Sequence, residues 1–200
     1  MKTILQLNTS LHSASATSSQ LAERFVGALR LDNPDSQVIV RDLAAEPVPH
    51  LTAERFAGFL AKPEERNAEQ RAAVAESNEL IAELKAADTI VIGLPMYNFG
   101  IPSTLKAYFD HVARAGVTFR YTEKGPEGLL KGKKAVIFAT RGGIYIGTPL
   151  DTQTAYVRDF LRFLGITDVE FVYAEGLAMG AERRSAAIEQ AAQQIERIAA

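Results

Sequence analysis

The sequence predicts an α/β fold of the doubly wound class, in which a five-stranded parallel sheet carries helices on both faces. Five short apolar segments alternate along the chain with longer segments of helical spacing. This alternation is typical of βαβ units with right-handed crossovers, which build a parallel sheet. No internal repeat, low-complexity segment or linker interrupts the pattern. We therefore expect residues 1–200 to form a single domain.

The predicted strands are short and rich in apolar residues, as buried parallel strands are. They are Thr3–Asn8, Gln37–Leu43, Thr89–Leu94, Lys134–Thr140 and Val169–Tyr173. A sheet of five strands fits the flavodoxin-like order 2-1-3-4-5, although periodicity alone does not determine the order.

The predicted helices place apolar residues at spacings of three and four. They are Gln20–Leu31, Glu64–Ala86, Ser103–Ala113, Asp151–Leu164 and Ala181–Ala199, with a shorter one at Ala53–Leu60. Ser103, directly after Pro102, is expected to be a helix N-cap. The segment Thr118–Leu130 contains a Gly-Pro-Glu-Gly turn and is predicted to be a hairpin or flap.

Composition excludes several classes of function. The formal net charge of −2 provides no broad positive field for nucleic acid or an anionic membrane. The chain contains no Cys and three His without helical pairing, which argues against a metal site and removes thiolate chemistry. No apolar run is long enough to span a bilayer, and the N-terminus does not resemble a signal peptide. We expect a cytoplasmic protein.

In the order 2-1-3-4-5, ligands bind beyond the carboxyl ends of the first and third strands. The loop after the first strand, residues 9–19, is rich in Ser and Thr and leads into a helix N-terminus, which suits a phosphate. It lacks Gly and Lys, so it is neither a P-loop nor a dinucleotide fingerprint. One terminal phosphate is the ligand group we expect. A cluster of capping and solvated serines is the alternative.

Two further loops meet the first at the predicted crevice. Residues 95–102 place Met96, Tyr97 and Phe99 together, which suits a flat ring, or else a loop packed on a neighbouring segment. The pair Gly142–Gly143 allows close backbone approach to a ligand, or simply forms a tight turn. A phosphate site, an aromatic surface and an exposed backbone in one crevice together predict a site for flavin mononucleotide (FMN).

At these residues the chain resembles the bacterial FMN-dependent NADH:quinone oxidoreductases, also called azoreductases. The resemblance covers nearly the whole length and is carried by Pro-Met-Tyr-Asn-Phe at 95–99, and by segments 105–110, 114–121, 125–129 and 141–143. Relatives commonly carry Ser where this chain has Ala16, and often His where it has Tyr145.

The resemblance implies which residues bind the cofactor. Those implied for the phosphate are Ser10, Ala16, Thr17 and Ser18. Those implied for the isoalloxazine and ribityl chain are Pro95, Met96, Tyr97, Asn98 and Phe99, and those for the pyrimidine side are Thr140, Arg141, Gly142 and Gly143. No residue is identified as a catalytic acid or base. Tyr121 and Tyr145 are candidates for contact with substrate.

The resemblance further implies a homodimer with tightly but non-covalently bound FMN. NADH or NADPH would donate a hydride, and quinones or azo compounds would accept electrons in a ping-pong cycle. Two alternatives from other classes are a flavodoxin-type electron carrier and a non-catalytic flavin-binding module. Carriers are usually strongly acidic, and this chain is not.

Overall fold

The computed structural model describes residues 2–199, within which seven strands form two sheets. The strands are β1 (Thr3–Asn8), β2 (Gln37–Asp42), β3 (Thr89–Pro95), β4 (Phe119–Thr122), β5 (Gly125–Gly128), β6 (Lys134–Thr140) and β7 (Asp168–Ala174). Five of them form a parallel sheet in the order β2-β1-β3-β6-β7, and β4 and β5 form an antiparallel hairpin. The predicted order 2-1-3-4-5 is therefore confirmed, with β6 and β7 as the fourth and fifth predicted strands.

Six α-helices connect and flank these strands within the same residues. They are α1 (Thr17–Asp32), α2 (Ala53–Leu60), α3 (Ala68–Ala86), α4 (Ser103–Val112), α5 (Thr152–Leu164) and α6 (Ala181–Ala199). None of them is long and apolar enough to cross a bilayer.

The sheet separates two apolar clusters, as the prediction of helices on both faces requires. Alternate residues of a strand point to opposite faces, so Ile90 and Ile92 of β3 join one cluster and Val91 joins the other. Helices α3, α4 and α5 pack in the first cluster, and α1 and α6 in the second. Full burial of each such side chain contributes roughly 1.5–3 kcal/mol to stability.

The predicted hairpin or flap is an ordered hairpin fixed to α5. The Leu130 N–H donates to the Leu164 carbonyl at 2.8 Å, at the C-terminus of that helix. A Cβ on Gly128 would lie 2.0 Å from the backbone nitrogen of Gly165, so only glycine permits this approach. The hairpin therefore has a defined place at the end of α5.

Two predicted helix starts and one predicted N-cap were wrong. Helix α1 begins at Thr17 instead of Gln20, because the hydroxyl-rich segment forms its first turn. Helix α3 begins at Ala68 instead of Glu64, where Asn67 and Gln70 form a capping box. Ser103 is not an N-cap: Pro102 occupies that position, and no side chain caps the helix.

Candidate functional site

A crevice of about 560 Å³ lies at the carboxyl ends of β1, β3 and β6. This volume is in the range of sites for small molecules and cofactors. The residues that line it are Ser10, His12, Ser15, Ala16, Thr17, Ser18, Pro95, Tyr97, Thr140, Gly142, Leu177, Ala178 and Arg184. The crevice thus lies at the switch point of the sheet, where ligands of doubly wound folds bind.

One end of the crevice is formed by the N-terminus of α1. Its N-cap residue, Ala16, has no side chain that caps the helix, and the first helical bond runs from the Gln20 N–H to the Ala16 carbonyl. The N–H groups of Thr17, Ser18 and Ser19 consequently have no hydrogen-bond acceptor within residues 2–199. Free N–H groups at the positive end of a helix favour an anion.

The Ser18 side chain supports an anion site at the same place. Ser18 is fully buried, yet its hydroxyl has no hydrogen-bond partner among the described residues. A buried hydroxyl without a partner is costly unless a ligand or water satisfies it. The hydroxyl therefore fits a ligand that brings acceptor oxygens.

Gly93 of β3 allows the start of α1 to approach the sheet. A Cβ at this position would lie 3.0 Å from the Ser18 carbonyl oxygen, closer than a side chain normally packs. Its own carbonyl accepts a hydrogen bond from the Thr9 hydroxyl at 2.7 Å. The glycine thus positions the N-terminus of α1 beside the end of β3.

Tyr97 joins the anion end to the aromatic loop. Its hydroxyl lies 3.0 Å from the Ser10 hydroxyl and accepts a hydrogen bond from the Leu11 N–H at 3.2 Å. The loop that follows β1 and the loop that follows β3 are therefore linked by one phenol group.

The aromatic loop contains a strained turn. Tyr97 and Gly100 exchange backbone hydrogen bonds of 3.1 and 2.9 Å, and between them Asn98 and Phe99 have φ values of 50° and 63°. Positive φ is uncommon for Asn and rare for Phe, and each such residue costs on the order of 1–3 kcal/mol. In this turn the Phe99 side chain is 48% exposed. Backbone strain of this kind often occurs at ligand sites.

Gln153 of α5 holds that turn in place. Its side-chain amide donates to the carbonyls of Pro95 at 2.9 Å and Gly100 at 2.8 Å, and the residue is fully buried. The Thr152 hydroxyl also donates to the Phe99 carbonyl. The first turn of α5 therefore supplies the hydrogen bonds that offset the strain.

The loop after β6 presents two backbone donors. The Gly142 and Gly143 carbonyls accept hydrogen bonds from Ala178 at 3.0 Å and Gly176 at 2.8 Å, whereas their N–H groups have no acceptor within residues 2–199. The N–H groups remain able to bind a ligand, while the carbonyls fix the loop against the segment after β7.

The Arg141 side chain points away from the crevice and is buried. Its guanidinium contacts Asp151 at 2.6 Å and Glu175 at 3.0 Å. Burial would raise the pKa of Asp151, but hydrogen bonds from Arg141 and Thr154 outweigh that effect and hold the pKa below its usual range. Arg141 thus has a buried charge that is paired on both sides.

The structure brings most of the predicted cofactor residues to one crevice. Eight of them line it: Ser10, Ala16, Thr17, Ser18, Pro95, Tyr97, Thr140 and Gly142. Five do not: Met96, Asn98, Phe99, Arg141 and Gly143. Of the two substrate candidates, Tyr145 packs edge-on against Phe99 at 5.6 Å, whereas Tyr121 lies on the hairpin and is 75% exposed.

Sequence reasoning missed the contribution of the segment after β7. Leu177, Ala178 and Arg184 line the crevice, as do His12 and Ser15 of the first loop. The position of β7 beside β6 was available from the predicted strand order, and it places the following loop at the same edge of the sheet.

A family model described as "Flavodoxin-like fold" matches residues 2–199. An FMN-dependent NADH:quinone oxidoreductase of Cellvibrio japonicus is 57% identical to the chain over 180 residues, which cover 90% of each protein. The chain belongs to the family of FMN-dependent NADH:quinone oxidoreductases. The resemblance seen in the sequence is therefore confirmed.

Solved structures of the oxidoreductase family have the same fold. An azoreductase from Bacillus anthracis superposes with a TM-score of 0.91 at 29% identity, covering 100% of this chain and 99% of the other. An FMN-dependent NADH-azoreductase from the same species, in complex with FMN, gives a TM-score of 0.88 at 27% identity, covering 100% of each chain. Because both superpositions cover the full length of this chain, they include every segment that lines the crevice.

Proposed function

We propose that the chain is a cytoplasmic FMN-dependent NAD(P)H:quinone oxidoreductase that also cleaves aromatic azo compounds to amines. One observation carries the proposal: a single crevice joins the free N–H groups of α1 to the strained turn 97–100 through the Tyr97 hydroxyl. Such a crevice fits a ligand with one phosphate at one end and a flat polar ring at the other. The names of the family's members supply the donor and acceptor classes.

The residues present fit tightly but non-covalently bound FMN. The phosphate would accept hydrogen bonds from the Ser18 hydroxyl and from the N–H groups of Thr17 and Ser18, which have no partner within residues 2–199. A pyrophosphate would need further donors, and the loop has no glycine-rich segment to provide them. The isoalloxazine would lie between the 97–100 turn and the Gly142–Gly143 backbone.

FMN, when bound, supplies a ring that accepts a hydride from a reduced nicotinamide and passes two electrons to an acceptor. The protein positions that ring and places donors at its edge. The Gly142 and Gly143 N–H groups, which have no acceptor in the described part of the chain, would stabilise negative charge on the pyrimidine side as an oxyanion hole does. Arg141 holds this loop from the buried side and does not contact the ring.

The stoichiometry differs between the two acceptors. A quinone takes one hydride equivalent from a single NADH and one proton from water, and leaves as a quinol. An azo bond requires two NADH and two protons, because two amines form only after four hydrogen atoms have been added. We expect donor and acceptor to use the same open side of the site in turn, which gives ping-pong kinetics with either NADH or NADPH.

The active unit that we propose is a homodimer. Tyr121 lies on the exposed hairpin and does not line the crevice of its own chain. Its contact with substrate would therefore require the crevice of a second copy. Aromatic residues are enriched in interface cores, which supports a second chain at this hairpin.

The discriminating experiment measures NADH oxidation by the FMN-loaded protein with and without a benzoquinone. We expect oxidation that depends on both FMN and the quinone. An electron carrier or a non-catalytic flavin-binding module would bind FMN and give almost no oxidation, and that result would contradict the proposal. Apoprotein measured in parallel shows how much of the rate comes from free flavin.

A further inference from the structure

Arg184 reaches into the phosphate end of the crevice from a different part of the chain. It lies in the first turn of α6, where its N–H donates to the Gly180 carbonyl. Its guanidinium donates a hydrogen bond of 3.0 Å to the Thr17 hydroxyl at the start of α1. The same crevice is lined by Arg184, Ser10 and Ser18.

The electrostatic surroundings of Arg184 are unfavourable for a cation unless an anion is present. The guanidinium lies at the N-terminal ends of two helices, α1 and α6, and both ends carry partial positive charge. Within residues 2–199 the side chain donates its hydrogen bond to a neutral hydroxyl and forms no salt bridge. Although the side chain is exposed, the described residues offer it a neutral acceptor and two helix N-termini, and no carboxylate at ion-pair distance.

The Ser18 hydroxyl provides an independent observation at the same end. It is fully buried in the crevice and has no partner within the described residues. The Ser18 hydroxyl, the Arg184 guanidinium and the backbone N–H groups that lack an acceptor within residues 2–199 form a set of donors at one end of the crevice. Tetrahedral oxyanions with several acceptor oxygens match this set.

We propose that Arg184 is a further cofactor-binding residue, which contacts the phosphate of FMN and makes the site prefer FMN to riboflavin. The inference rests on the proposed function. A phosphate monoester carries about −1.5 to −2 charge at pH 7, and the other donors of this site are neutral. Arg184 supplies the charge, and its planar fork can bind two phosphate oxygens at once.

Arg183 offers a matched control on the same turn of α6. Its stem packs beside Gly176, where an added Cβ would lie 3.1 Å from the Arg183 Cδ. It lines a separate groove with Ile144 and Ile146 and does not line the crevice. R183Q removes one positive charge from the same turn of α6. It therefore changes the net charge of the protein and the charge near the helix N-terminus as R184Q does.

The test measures the affinity of apoprotein for FMN and for riboflavin by flavin fluorescence, in the wild type and in R184Q, R184K and R183Q. We expect R184Q to weaken FMN binding by about tenfold or more, since a charge-assisted contact is lost. Riboflavin has no phosphate, so its affinity should not change. R184K should recover part of the FMN affinity, and R183Q should match the wild type.

Three results would overturn the inference. They are an FMN affinity that R184Q leaves unchanged, an equal loss of affinity for FMN and riboflavin in R184Q, and an FMN affinity in R184Q no lower than that in R183Q. Unchanged riboflavin affinity also shows that R184Q is folded at the crevice. FMN binding that is equal in wild type and R184Q overturns only the role of Arg184, whereas a wild type that binds no FMN overturns the proposed function as well.

Discussion

The guanidinium of Arg141 and the carboxylate of Glu175 form a buried ion pair at 3.0 Å, next to the loop that presents Gly142 and Gly143. The same Glu175 oxygen accepts hydrogen bonds from the N–H groups of Tyr145 at 2.9 Å and Ile146 at 3.0 Å. One carboxylate therefore fixes both the start and the end of the glycine loop. Arg141 therefore affects the site indirectly, because Glu175 links its guanidinium to the backbone N–H groups of Tyr145 and Ile146.

We expect Glu175→Gln to destabilise the protein and to weaken FMN binding. The buried Arg141 keeps Asp151 as a carboxylate partner, so we expect a cost of about 1.5–3 kcal/mol, the range for a lost hydrogen bond to a charged group. Urea unfolding of the apoprotein measures the loss. Glu170→Gln is the control, because its ion pair with Lys134 is about one-third exposed and should contribute at most about 1 kcal/mol. Equal losses in the two variants would show that the buried ion pair of Arg141 and Glu175 stabilises the protein no more than a partly exposed pair does.

We expect Ser18→Ala to weaken FMN binding by about fivefold or more without destabilising the apoprotein. The Ser18 hydroxyl has no partner among the residues that the structure describes, so its removal breaks no hydrogen bond until the phosphate is bound. Isothermal titration with FMN and thermal unfolding of the apoprotein measure the two effects. Ser36→Ala, in the turn before β2, removes another buried hydroxyl that has no partner within residues 2–199, and should change neither. A loss of apoprotein stability in Ser18→Ala alone would indicate a structural role.

We expect Asn98→Ala to weaken FMN binding or slow turnover, whereas Asn33→Ala does little. Asn98 has a φ of 50°, so Ala adds a backbone cost of roughly 1–2 kcal/mol to the loss of a side-chain hydrogen bond of about 1 kcal/mol. Asn98→Gly separates the two, since glycine accepts this φ and still lacks the side chain. If Asn98→Gly were as active as the wild type, the Asn98 side chain would have no role in the site. Equal effects of Asn98→Ala and Asn33→Ala would place the site elsewhere.

We expect the protein to lose stability as the pH falls below about 6.5, through His111. This residue is fully buried: its Nε2 accepts from Arg55, and its Nδ1 lies 2.9 Å from the Ala107 carbonyl. Burial lowers the pKa of His111 in the folded chain, so the unfolded chain takes up the proton first. The stability that depends on neutral His111 is therefore present above the unfolded-state pKa and lost as pH falls toward the folded-state pKa.

Urea unfolding between pH 7.5 and about pH 5 checks the role of His111. His111→Gln should flatten the pH dependence, while His50→Gln, a change outside the buried core, should leave it as in the wild type. A wild-type slope retained in His111→Gln would assign the dependence to other groups.

We expect the active unit to be a homodimer whose hairpin completes the partner's crevice. Sedimentation equilibrium should then give twice the 21.8 kDa chain mass. Mixing two inactive variants, Ser18→Asp and Tyr121→Ala, should restore part of the activity if subunits exchange, because one crevice of each heterodimer then contains neither change. A monomer with full activity at assay concentration would contradict this expectation.

The sequence predicted the strands and the switch point well because both depend on local patterns. The apolar runs of β1, β3 and β6 are short and continuous, and their order places three loops at one edge. Other features depend on tertiary contacts that no local pattern shows. The Arg141 side chain pairs with Glu175, which lies 34 residues away along the chain, and Arg184 reaches Thr17 across 167 residues.

The prediction of the N-terminus of α1 failed where the site itself requires an unusual local structure. Hydroxyl residues at the start of α1 indicated a loop, but the structure has helix there, with Ala16 as its N-cap and with unsatisfied N–H groups. The positive φ of Phe99 likewise contradicts the local preference of that residue. Departures of this kind are expected at functional sites, where binding offsets the local cost.

The central claim is that one site passes electrons from a reduced nicotinamide to a quinone through bound FMN. Its most direct test mixes the FMN-loaded protein with NADH in a stopped-flow instrument without oxygen, and then adds a benzoquinone after the NADH has been consumed. The account predicts that the visible flavin absorbance falls with NADH alone and returns with the quinone alone. Absorbance that NADH leaves unchanged, or that the quinone fails to restore, would contradict it.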